Sequence, residues 1–238
     1  MVRFALSLIL SLFLLGGAHA QTIKVMTSAD LSPLAIGAEA SPRGFYHDLL
    51  DEVGARAGLS IDLTYQPWDR AQKTAMASQD HYIAALTQTD ARRPHYRWIA
   101  PMITIHRVFV SRDQRVDDMQ TAEGLGLVVG RSVYFGRLER LGWSNIQETS
   151  VESGLRMVQA GRADAMFIPA ERAVYVWRDL GFADEDLIIG ETISEAVLWL
   201  AGPLNGDPEI EERLTAAMES VRADGVYDEL YRRYFGRD

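Results

Sequence analysis

The side chains of this sequence best equipped for chemistry are arginines and small hydroxyls rather than the usual nucleophiles. Thr87-Gln88-Thr89-Asp90-Ala91-Arg92 places two hydroxyls shortly before a guanidinium. A guanidinium stays charged when buried and presents a planar fork of donors that fits a carboxylate in bidentate fashion. Arg70, in Pro67-Trp68-Asp69-Arg70, stands two residues after a tryptophan, and Arg131 opens the run Arg131-Ser132-Val133-Tyr134. Catalytic and metal patterns are missing. His47, His81, His95 and His106 follow no H-E-x-x-H or similar ligand spacing, and the chain has no cysteine for a thiolate zinc site or a thiol nucleophile. There is no G-x-S-x-G elbow and no phosphate-cradling G-x-x-x-x-G-K-[ST]. No catalytic residue, metal or cofactor is expected.

These side chains need a scaffold, and the sequence supplies one after an export signal. Arg3, an apolar run from Phe4 to Leu15 and the small-x-small site Ala18-His19-Ala20 form the three parts of a secretory signal over residues 1–20. The run is shorter than the roughly 20 apolar residues of a spanning helix, and cleavage is expected before Gln21. With no cysteine to carry a lipid, the expected product is an unanchored periplasmic protein. The formal net charge of −9 disfavours nucleic acid as a partner.

Beyond residue 20, short apolar strands alternate with amphipathic helices, which predicts α/β layers with largely parallel sheets. Strands are read at 23–26, 61–65, 82–86, 125–129 and 163–168. A helix carries Phe45, Leu49, Leu50 and Val53 on one face and closes near Gly58; another begins near Trp68. Thr149-x-x-Glu152 has the form of a capping box. Near the C-terminus, Asp207 and Pro208 open a helix with Ile210, Leu214, Met218 and Val221 on one face, ended by Gly225. Residues 227–235 form a last short helix whose tyrosines are read as core. The stretches 75–83 and 158–166 share one order of helix, tight turn, aspartate and buried strand, which suggests two units of similar design.

Several segments, in order, resemble the family 3 periplasmic solute-binding proteins, the receptors of polar amino-acid ABC importers. Gly44-Phe45-x-x-Asp48-Leu49 resembles the family's G-F-D-x-D-L signature, and Thr87 to Arg92 its T-I-T-x-x-R turn. Gly161-Arg162-Ala163-Asp164-Ala165 matches G-R-x-D-A. Arg222-Ala223-Asp224-Gly225-Val226-Tyr227 with Tyr234-Phe235-Gly236 is similar to the closing R-A-D-G-x-Y and Y/W-F-G. The resemblance implies a type II periplasmic-binding-protein-like α/β fold, with two lobes joined by a two-strand hinge and a ligand cleft between them. Residues 21–107 plus 194–238 would form lobe 1 and residues 108–193 lobe 2.

The resemblance also assigns roles. Arg92 would bind the ligand's carboxylate, with Thr89 and Thr87 adding donors in the same turn. Arg70 matches a position that often stacks on the ligand, Leu31 falls near the opposite wall, and Trp68 is read equally as core or as cleft lining. Arg131, Ser132 and Tyr134 occupy the place of the family's Q-G-T loop, whose usual glycine and threonine are absent here. Pro169 stands where amino-acid receptors usually place the aspartate that pairs with the ligand's ammonium, and Ser28 takes a position that is acidic in some relatives. Glu171 is offered as a substitute for that acid, or as a solvated helix start. A site with cations at Arg70, Arg92 and Arg131 and few acids implies a small polar, carboxylate-bearing solute, an amino acid or an organic acid. An ABC permease is the implied partner of a monomeric binding protein. Two other readings are a cyclohexadienyl dehydratase of the same fold, using Glu171 as acid, and a ligand-sensing accessory protein without a dedicated transporter.

Overall fold

A computed structural model of the chain describes residues 21–28, 31–37, 43–130, 138–139 and 142–236. The expected signal at 1–20 and the candidate residues Arg131, Ser132 and Tyr134 lie outside the described residues. The elements, in chain order, are β1 (Gln21–Thr27), α1 (Phe45–Ala57), β2 (Leu59–Tyr65), α2 (Trp68–Ala77), β3 (His81–Thr87), β4 (Arg97–Ser111), α3 (Met119–Ala122), β5 (Leu127–Gly130) and β6 (Ile146–Thr149). There follow α4 (Val151–Gln159), β7 (Ala165–Pro169), α5 (Ala170–Asp179), β8 (Ile188–Ile189), β9 (Ser194–Gly202), α6 (Pro208–Ala223) and α7 (Val226–Phe235).

The strands run side by side in the order β2-β1-β3-β9-β4-β7-β5-β6, with β8 added along β4. Read from either end, the order is the same: second strand, first strand, third strand, then a long strand. β1 pairs parallel with β2 and β3, and β5 pairs parallel with β6 and β7. The antiparallel pair β4–β9 forms the middle. Residues Arg97 to Arg107 of β4 pair with β9, and Arg107 to Ser111 pair with β7, so Arg107 lies opposite both Ser194 and Pro169.

The core divides at the same place. One cluster packs α1, α6 and α7 onto a face that includes Ile99, Met102, Ile103 and Ile105 of β4. Another joins Val108 and Val110 to Leu155 and Val158 of α4 and Trp177 of α5. Ala71 and Ala75 of α2 cover the opposite face of the first half over Met26, Ile83 and Leu86, and Phe109 anchors a fourth cluster beside Ala122. Among the described residues, no side chain of 108–193 belongs to the clusters of the first half.

The motif residues show why these elements form. Gly44 has φ 110°, and a Cβ there would stand 3.0 Å from backbone atoms of Leu34, Ala35 and Ile36, so only glycine fits. Asp48 accepts from the Tyr234 hydroxyl at 2.8 Å and from Arg233 at 3.3 Å, tying α1 to α7. Burial and then the Asp48 carboxylate push the Tyr234 phenol above its ordinary value. Asp164 accepts from the Gly126 N–H at 2.7 Å, which fixes the start of β5 beside β7. Arg222 donates to the carbonyls of Pro101 and Met102, both at 3.0 Å, and stacks over Tyr227 at 3.8 Å. Asp207 caps α6 by accepting from the Glu209 N–H at 2.9 Å. One local expectation shifts by a residue. The cap of α4 is Ser150, which accepts from Ser153 N, and not Thr149, because Thr149 is held as the last residue of β6 opposite Gly130.

Candidate functional site

The ends of β1 and β3 and the start of α2 bring together most of the described candidate residues. Just before the end of β3 the strand bulges. Ala85 has φ 70°, and the register with β9 shifts between Ile83 and Leu86. A left-handed residue of this kind costs about 1–2 kcal/mol, and bulges commonly re-aim a neighbouring side chain. The strand leaves this bulge at Thr87 and turns. The Arg92 N–H donates to the Thr89 carbonyl at 3.0 Å and lies 3.3 Å from its hydroxyl. That turn points the Arg92 side chain back, so that Nη1 donates to Thr87 Oγ1 at 3.2 Å and to the Thr87 carbonyl at 3.4 Å.

The flat guanidinium also lies 5.9 Å from the ring centre of Trp68, near the outer limit of a cation–π contact. Trp68 is the first residue of α2, half-buried, and its ring packs on two of the apolar clusters while meeting Arg92. It is core and lining together. Arg92 and Thr87 are half-buried, whereas Thr89 is exposed. Among the described residues only Nη1 of the Arg92 guanidinium is engaged, leaving its other donors without a partner among them. Asp90 lies in the same turn but is fully exposed and pairs with Arg93 at 3.6 Å.

Arg70 is exposed on the first turn of α2, where its backbone closes a turn onto the Pro67 carbonyl at 2.9 Å. Leu31 is half-buried against the first cluster and bridges to Ala35. One hydroxyl escaped the sequence reading. Thr27, at the end of β1, is fully buried, and its Oγ1 has no partner among the described residues. Neither the Thr27 hydroxyl nor the Ala85 bulge has a signal in the sequence, since both depend on where β1 and β3 end relative to their neighbours. Ser28, the next residue, is also buried.

Glu171 does not join this group. It sits in the first turn of α5, 7% exposed, and accepts from His106 Nδ1 at 2.7 Å, from the His106 backbone N–H at 3.3 Å and from the Tyr231 hydroxyl at 3.5 Å. It is neither a solvated helix start nor a group turned toward Arg92. A buried carboxylate must find hydrogen bonds, and β4 and α7 supply them. Pro169, immediately before α5, precedes the helix with φ −59° and brings no charge.

The chain is 23% identical over 225 residues to a probable histidine-binding protein of Neisseria gonorrhoeae, covering 90% of this chain and 83% of that one. It is 24% identical to membrane-bound lytic murein transglycosylase F of Shewanella oneidensis, covering 99% of this chain and 53% of that one, so it spans about half of that relative. Among solved structures, an ancestral cationic amino acid solute binding protein matches with a TM-score of 0.75 at 19% identity, covering 90% of this chain and 95% of that one. The fold is thus the mixed α/β fold of the type II periplasmic binding proteins. No helix among the described residues is long and apolar enough to cross a membrane. Residues 23–237 match the model of the bacterial extracellular solute-binding proteins, family 3, and the chain belongs to that family.

Proposed function

We propose that this protein is a periplasmic solute-binding protein that holds a small carboxylate-bearing solute, an amino acid or organic acid, through Arg92. The observation that carries this reading is the state of the Arg92 guanidinium: half-buried, steadied by Thr87 and Trp68, and with donors left over. Hydrogen bonds to charged groups contribute roughly 1.5–3 kcal/mol each, and a bidentate carboxylate would use the donors that have no partner among the described residues. Thr89, Thr27 and Arg70 are the further groups we assign to the ligand, and Leu31 the apolar wall. Arg131, Ser132 and Tyr134 are kept as ligand-binding candidates on the family resemblance alone.

In this reading residues 21–107 plus 194–238 form one lobe and residues 108–193 the other. They are joined where β4 exchanges β9 for β7, and they close on the ligand as hinged domains do. The separation of the apolar clusters at that point supports the division. Residues 1–20 are the cleaved signal, and an ABC importer is the partner the captured solute would be delivered to.

Two relatives are named for histidine and for cationic amino acids. For this chain we propose instead a ligand richer in carboxylate than in ammonium, because Pro169 brings no charge and Arg70 and Arg92 are cations. We do not adopt the dehydratase reading, because Glu171, the acid it relied on, is committed to His106 and Tyr231. A thermal-shift screen of amino acids and organic acids tests the proposal, since a ligand that binds only the folded state raises its apparent stability. Mono- and dicarboxylates should raise the melting temperature. Tight binding of lysine with no response to any dicarboxylate would overturn the ligand class.

A further inference from the structure

One histidine joins parts of the chain that are far apart in sequence. His106 lies on β4, one residue before that strand exchanges β9 for β7. Its Nδ1 is 2.7 Å from Glu171 on α5, and its Nε2 is 3.7 Å from Glu195, its cross-strand partner on β9. The Tyr231 hydroxyl of α7 reaches the same Glu171 oxygen. A cavity of about 420 Å³ opens beside this group, lined among others by His106, Glu171, Val174, Arg115 and Phe235. His106 itself is 37% exposed, so solvent protons reach it.

The two side chains that pair with the imidazole are both carboxylates. Glu171 faces it from α5 and Glu195 from β9. Across the cavity Arg115 is held by Asp117 and Glu191, each at 2.7 Å. Arg107, the next residue of β4, donates to Ser194 at 3.4 Å. Arg172, next to Glu171 on α5, is also engaged. From α7, Tyr227 is close enough for the Glu171 charge to act on its phenol. The ion pairs seen for Glu171 and Glu195 among the described residues are with His106, which contacts both.

A neutral imidazole carries one N–H. Here that proton is needed on Nδ1 for Glu171, which leaves the Nε2 lone pair facing the Glu195 carboxylate. Protonation turns that repulsion into attraction and makes the Glu171 bond ionic on both sides. Histidine is the side chain that changes charge between about pH 5 and 8.

We propose that His106 is a proton-operated clasp that draws α5 and, through Glu171, α7 onto the β4–β9 pair, tightening in acid and loosening toward alkaline pH. That the clasp also governs lobe movement rests on the two-lobe reading above; the clasp itself does not. Hydrogen exchange on the ligand-free chain at about pH 5.5 and about pH 8, corrected for intrinsic rates, tests it. Peptides covering 170–174 and 226–235 should be about three- to tenfold less protected at the higher pH. His106→Gln keeps a donor for Glu171 but gains no charge, and should abolish that difference. Glu195→Gln, at an exposed residue, should reduce it to less than about twofold. Equal wild-type protection at both pH values, or the wild-type difference persisting in either variant, would overturn the clasp. Neither result depends on ligand binding at Arg92, so failure of one reading leaves the other standing.

Discussion

Arg92 and Glu171 are both charged residues at the end of a strand's connection, and the sequence offers both to a ligand. The fold treats them in opposite ways. Arg92 is half-exposed and engages Thr87 through one nitrogen, at 3.2 and 3.4 Å. Glu171 is 7% exposed and has both oxygens occupied by groups from β4 and α7. A charge kept for an outside partner holds hydrogen-bonding capacity in reserve, whereas a charge kept for the fold has spent it. Residue type does not separate these cases, but the state of the partners does.

The comparison can be broken most directly at Arg92. Arg92→Ala should cost about 3–6 kcal/mol of ligand binding, two charge-assisted bonds at about 1.5–3 kcal/mol each. It should move the melting temperature by no more than about 2 °C. Calorimetry with the solute that gives the largest thermal shift measures the first and a melt the second. Glu171→Ala should do the reverse. Removing a buried, fully bonded carboxylate should lower stability by about 2–4 kcal/mol, a drop of about 5–10 °C, with ligand affinity largely kept. If Glu171→Ala melts like wild type and no longer binds, the two roles are exchanged and the comparison fails.

Smaller effects sharpen it. Trp68→Leu removes the ring that steadies the Arg92 guanidinium. It should weaken ligand binding about two- to fivefold, as a cation–π contact of about 0.5–1 kcal/mol implies. The smallest effect separates the surface acids from Glu171. The Thr121 N–H holds the Asp118 carboxyl below its ordinary value, and Arg178 does the same for Asp184. A folded-state value below the unfolded one means that these groups stabilise above about pH 4 and lose that contribution as pH falls through their folded values. Melts should therefore be insensitive to these two acids between about pH 6 and 8. Asp118→Asn and Asp184→Asn should shallow the decline below about pH 4.

Most of the motifs that identified the family prove to be structural. Asp48 holds Tyr234, Asp164 fixes the start of β5, and Arg222 caps carbonyls of β4. They were legible as short runs that resemble the family's pattern, although the bonds they make reach across the chain. Helix α6 was readable from its local signals, with Asp207, Pro208 and Gly225 marking its ends. The parts that were not legible depend on distant pairing that no short run announces. Nothing in the run from Arg97 to Ser111 announces one 15-residue strand that changes partners midway. Nothing near Glu171 points to His106, 65 residues away. The bulge at Ala85 shows in the shift of register against β9, which no local run of residues announces. Among the described residues, the Thr87-to-Arg92 turn was both a readable motif and a group with donors to spare.

The central claim is that Arg92 binds a carboxylate, and blocking that carboxylate tests it most directly. Each acid that stabilises the protein in a thermal-shift screen should be compared with its own amide, alike in size and shape but uncharged at that end. Each acid should raise the melting temperature, and its amide should give no shift. An amide that stabilises the protein as strongly as its parent acid would contradict it.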